Sequence, residues 1–104
     1  MATAENISVL KADEDRFCAS FTVRFDFDEV GYVAYCYDAA VKGYNRRHAV
    51  LYLENKPFGW LPFYEEWEDT GISVKKGEVS KALYTAMSAA FDVAYKFLGY
   101  KKGA

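Results

Sequence analysis

The stretch Arg16-Phe17-Cys18-Ala19-Ser20-Phe21-Thr22-Val23-Arg24-Phe25-Asp26-Phe27-Asp28 carries the reading of the fold. Phe17, Ala19, Phe21, Val23, Phe25 and Phe27 alternate strictly with Arg16, Cys18, Ser20, Thr22, Arg24, Asp26 and Asp28. A period of two places one set on a buried face and the other in water, so this is a long, half-buried β-strand.

Working outward, Ile7 to Ala12 forms a shorter strand that returns to it through an Asp13-Glu14-Asp15 turn. On the other side, Asp28-Glu29-Val30-Gly31 reads as a type I turn whose glycine takes a left-handed conformation and makes a bulge. That geometry pairs Phe27 with Val33, Phe25 with Tyr35, Val23 with Tyr37 and Phe21 with Ala39, apolar against apolar. A helix competes over residues 29–43, because Val30, Val33, Ala34, Tyr37, Val41 and Tyr44 also share a helical face. The Val-Tyr-Cys-Tyr composition of that segment favours a strand.

Further along, Arg47 to Leu53 is a central strand, apolar on both faces. Glu54-Asn55-Lys56-Pro57 is a turn, and Phe58 to Tyr64 is a further strand or extended segment that Pro62 confines to an edge. Residues 65–77 read as a loop. Residues 78–98 are a helix: Val79, Leu83, Met87, Ala90, Phe91, Ala94, Phe97 and Leu98 make one broad apolar face, opposite Lys81, Thr85, Ser88, Asp92 and Lys96. Gly99 suits its C-terminal stop. The expected architecture is a single α+β domain over residues 1–104. It comprises an antiparallel meander of four or five strands with one C-terminal helix on one face, and ββαββα is the alternative if residues 29–43 are helical.

Composition limits the function. The chain has 104 residues, is 52% hydrophobic and 27% charged, and has a net charge of −2. Residues 1–70 hold 13 acids against 7 bases, and residues 71–104 hold 2 acids against 6 bases. Such a dipolar, mildly acidic chain lacks the basic stripe of a nucleic-acid binder. Cys18 and Cys36 have no metal-binding or redox spacing. The N-terminus lacks the pattern of a signal peptide, and no apolar run is long enough to cross a bilayer, which makes the cytoplasm the default location. His48, beside Arg46 and Arg47, is the only histidine, so a Cys-His or Ser-His site would have to use it. The acid pairs Asp13/Asp15 and Asp26/Asp28 fall in turns, where Asp bonds the local backbone. No phosphate-cradling motif is present. Neither catalytic residues, nor a cofactor, nor a metal is expected.

Rings are abundant: nine Tyr, eight Phe and two Trp. A domain this small cannot hide them all, and Tyr and Trp are enriched where proteins dock. The densest segment runs from Phe58 to Asp69, with five aromatics and four acids in 12 residues. Trp60, Phe63, Tyr64, Glu65, Glu66, Trp67, Glu68 and Asp69 are its candidate contact residues: rings to fill pockets, carboxylates to meet Lys or Arg. This pattern describes a non-catalytic protein-binding module, an inhibitor or adaptor, engaging a basic partner such as a nucleic-acid-handling protein, without touching nucleic acid or membrane itself. Two other classes stay open. One is a ligand-binding or enzymatic domain with a cavity between helix and sheet lined by Tyr35, Tyr37, Tyr52 and Tyr84. The other is a homodimer or larger homo-oligomer joined through exposed aromatics or an edge strand.

Overall fold

A computed structural model describes residues 3–55 and 62–100. Among the described residues six strands, β1 (Glu5–Glu14), β2 (Ala19–Phe27), β3 (Val30–Asp38), β4 (Arg46–Leu53), β5 (Tyr64–Asp69) and β6 (Ile72–Gly77), precede one helix, α1 (Lys81–Leu98). The strands form one antiparallel sheet in the order β1-β2-β3-β4-β5-β6, a meander with α1 packed on one face. The fold is therefore α+β as expected, with six strands rather than four or five. Residues 29–43 supply β3 and a short 3-10 turn (Ala40–Lys42) instead of a long helix. The expected strand Phe58 to Tyr64 falls mostly outside the described residues. Residues 65–77, expected as a loop, instead form most of the β5–β6 hairpin.

Two turns explain the differences. Asp28 (φ 50°) and Glu29 (φ 66°) both take left-handed backbone, so β2 and β3 meet through a two-residue turn, Phe27 opposite Val30. A turn of this primed type matches the right-handed twist of the strands it joins, which offsets the cost of two non-glycine residues at positive φ. The expected pairing of Phe27 with Val33 is thus three residues out of register. An odd shift moves every side chain of β3 to the other face. Phe21 stands opposite Cys36, Val23 opposite Ala34, and Phe25 opposite Tyr32. Gly31 takes no part in the turn. It lies within β3 where any Cβ would run into the Glu54 side chain, which crosses it to reach Arg24. The second turn, Thr70-Gly71 (φ 50° and 83°), is of the same kind and closes the β5–β6 hairpin.

The core lies between α1 and the inner face of the sheet. Phe21, Val23 and Phe25 from β2 join Ala34 and Cys36 from β3, Ala49 and Leu51 from β4, and Leu83, Met87, Ala90, Phe91 and Ala94 from α1. Small residues on β3 and β4 let the helix approach closely. Its rings fill the gap: Phe21 meets Phe91 at 5.6 Å and Tyr95 at 5.3 Å, both edge to face. Ser80 caps the helix by accepting from Leu83 N–H at 3.1 Å, and Gly99 (φ 73°) ends it. Phe97, expected in the apolar face, is 76% exposed; Tyr95 and Ala86 are buried in that face. Among the described residues no helix is long and apolar enough to cross a membrane.

Candidate functional site

The candidate contact residues divide between the two faces of the sheet, because β5 alternates like any strand. Tyr64 and Glu66 point inward and are buried. Glu65 and Trp67 point outward and are half-buried, while Phe63, Glu68 and Asp69 are exposed. Trp60 lies outside the described residues. Tyr64 and Glu66 therefore leave the expected docking surface and belong to the interior.

Glu66 sits at the centre of an inner polar cluster. It accepts hydrogen bonds from Tyr64 Oη and Tyr84 Oη, each at 3.1 Å. Its carboxylate lies 3.3 Å from the Arg47 guanidinium and 3.8 Å from Lys75 Nζ. Arg47 also covers the Phe91 ring at 5.6 Å. Beside it Asp38, itself buried, accepts from Tyr95 Oη and from Ala40 N–H. Tyr95 Oη is 3.7 Å from Cys36 Sγ. A buried acid held by phenols and a guanidinium satisfies itself internally, and this cluster joins helix to sheet.

The cluster makes alkaline pH destabilising. Burial pushes the Cys36 thiol up to about 11. Burial, with help from the adjacent acidic groups, pushes the phenols of Tyr64, Tyr84 and Tyr95 above the ordinary 10.0. Groups with raised values lend stability that is complete below their unfolded-state values and is lost as pH rises toward the folded ones. Thermal midpoints should hold level up to about pH 9 and then fall, and Cys36→Ala should flatten part of that fall. A midpoint unchanged at pH 11 would refute this account.

The outer face has a different character. His48 stacks on Trp67 with ring centres 4.9 Å apart and planes 8° from parallel, and its Nε2 lies 3.9 Å from Glu65 Oε2. The cross-strand pairs are Tyr37 with His48, Tyr35 with Val50, and Val33 with Tyr52. These side chains share the face turned away from α1. Lys76 Nζ lies over the Trp67 ring at 5.8 Å. Tyr35, Tyr37 and Tyr52 thus lie on the opposite side of the sheet from Tyr84, and the four do not line one cavity. The sequence reading missed this row because the β3 register was inverted.

The catalytic alternatives gain no geometry. Cys36 is fully buried on the inner face and His48 lies on the outer. Cys18, on the outer side, interacts with the Tyr37 hydroxyl. Asp15 accepts from the N–H groups of Phe17 and Cys18 at 2.7 and 3.0 Å, which lowers its carboxyl below the usual value. Asp26 binds Arg24 and Asn6. Among the described residues no three His, Cys, Asp or Glu side chains come together as metal ligands. Comparison of the chain with protein-family models, curated proteins and solved structures finds no match.

Proposed function

We propose that this domain is a small non-catalytic protein-binding module, an inhibitor or adaptor, and that its contact surface is the helix-free face of the sheet. One observation carries the reading. The helix buries only the inner face, and the outer face of the same sheet presents Tyr35, Tyr37, His48, Tyr52 and Trp67, all partly exposed. Six of the 17 described rings are buried. Of the 11 that are not, Tyr35, Tyr37, Tyr52 and Trp67 lie together with His48 on this one face, and a clustered aromatic patch is what marks an interaction site. Glu65 in this face, with Glu68 and Asp69 at the end of β5, favours a partner bearing Lys or Arg.

The test is to capture partners from the native host with the tagged protein, then measure affinity for the recovered partner with Trp67→Ala and Tyr35→Ala, singly and together. Central ring anchors typically contribute 2 kcal/mol or more, so the double variant should bind at least ~30-fold more weakly. Its thermal midpoint should fall by only a few degrees. An unchanged affinity, or a collapse of the fold in both single variants, would return these rings to a structural role.

A further inference from the structure

We propose that two copies of this chain pair through the free edge of β6, in antiparallel fashion about a two-fold axis at Ser73, to make one continuous twelve-stranded sheet. The pairing engages the backbone edge of β6 and the proposed contact surface engages side chains of β3, β4 and β5, so a variant at Ser73, whose side chain faces inward, tests the pairing alone.

The two edges of the sheet differ. β1 is irregular: its pairing with β2 shifts register between Glu5 and Ser8 and again between Val9 and Lys11, and Asn6 has φ 50°. Bulges of this sort spoil an edge for further pairing. β6 pairs with β5 in unbroken register from Gly77 to Ile72, and all six of its residues are exposed. Lysines commonly guard such an edge, but here they lie over the faces of the sheet. Lys75 Nζ is drawn to Glu66 and lies 5.7 Å from the Tyr84 ring, while Lys76 covers Trp67. Ile72 and Val74 remain 65% and 48% exposed.

Hairpin geometry determines which backbone groups are free. With a two-residue turn, Asp69 and Ile72 exchange both of their hydrogen bonds, and the ladder alternates from there. Ile72, Val74 and Lys76 direct N–H and C=O toward β5, so those of Ser73 and Lys75 face outward. A second β6 running antiparallel, with Ser73 opposite Ser73 of the second copy, engages these outward groups. In that register Ile72 and Val74 of one copy stand opposite Val74 and Ile72 of the other on the outer face, covering both.

Charge selects a second copy as the occupant. The β5–β6 hairpin is acidic near its tip, at Glu68 and Asp69, and basic at its base, at Lys75 and Lys76. Antiparallel self-pairing sets Lys75 and Lys76 opposite Gly71 and Thr70 of the second copy, beside the acids of that tip. Neither lysine faces another. α1 makes its main contacts with β2 and β1, at the far side of the sheet from the β6 edge. An isologous pair also closes on itself and leaves only the bulged β1 edges exposed.

Light scattering coupled to size exclusion, over about two decades of concentration, should show a monomer–dimer equilibrium that weakens with salt. Ser73→Pro removes an outward N–H while sparing the β5 ladder, and should weaken dimerisation about ten-fold or more with an unchanged circular dichroism spectrum. Independently of how that variant folds, Ser73→Cys in a Cys18→Ser background should form a disulfide-linked dimer under mild oxidation, and Lys75→Cys in the same background should not. Three results would each overturn the proposal: a monomer at every concentration, a dimer indifferent to Ser73→Pro, or equal cross-linking at positions 73 and 75.

Discussion

Replacing Phe91 by Ala is expected to lower stability by about 3–5 kcal/mol. Phe91 is 2% exposed, meets Phe21 edge to face, and supports the Arg47 guanidinium on its other side. Truncation removes the ring's burial and leaves a cavity that the β2 and β4 side chains cannot close, because strands held in a six-stranded ladder do not slide inward. Domains of this size are stable by only ~5–15 kcal/mol, so the loss is a large share of the whole. In thermal melts it corresponds to a fall of roughly 15–30 °C. Phe97→Ala, on the same helix but 76% exposed, should shift the midpoint by no more than a few degrees. Equal effects at the two positions would mean that α1 is rotated relative to its described packing.

The second large effect is expected at Glu66, which the sequence places in a docking segment and the tertiary structure places inside. Glu66→Ala leaves the Tyr64 and Tyr84 hydroxyls and the Arg47 guanidinium without their shared acceptor. Breaking a fully buried ion pair costs about 3–5 kcal/mol. The Arg47 side chain is 28% exposed and water reaches part of it, so about 2–3 kcal/mol is expected here. Glu66→Gln keeps an acceptor for the phenols and should lose about half as much. Urea unfolding of both variants checks the order. If Glu66→Ala instead weakened a partner's binding at unchanged stability, Glu66 would belong to the contact surface after all. The same comparison made with Trp67 separates the outer face from the inner cluster, because the two residues are neighbours in sequence and part company only through the pleat of β5.

Several features were legible from local pattern. Alternation from Ala19 to Phe27 marked β2 and its buried face, since Phe21, Val23 and Phe25 outweigh their neighbours in hydrophobicity, whereas Phe17, expected on that face, precedes the strand and is exposed. The 3.6-residue spacing of Leu83, Met87, Ala90, Phe91 and Ala94 marked α1, and Gly99 its end. Both signals are carried by a few strongly apolar side chains close together in the chain, so no partner element is needed to read them.

What the local pattern misjudged were choices made by a distant element. On β3, Tyr35 and Tyr37 carry larger apolar rings than the side chains of Ala34, Cys36 and Asp38, and for that reason local pattern selects them for the core. The helix reverses the preference: it needs a shallow strip of Ala34, Cys36 and Ala49 to approach, and its Tyr95 supplies the hydrogen bond that lets Asp38 be buried. On β5 and β6, acids and lysines hide a hairpin because the inward Glu66 is satisfied by Tyr84 and Arg47 from elsewhere in the chain. The sequence by itself determined the class of fold, its most regularly alternating strand and its helix, because these depend on periodicity alone. Only the tertiary structure decided which face of β3 and β5 is buried, and hence where the rings and charges open to a partner lie. Burial of a small or charged side chain depends on what packs against it, and that neighbour arrives from a remote part of the chain.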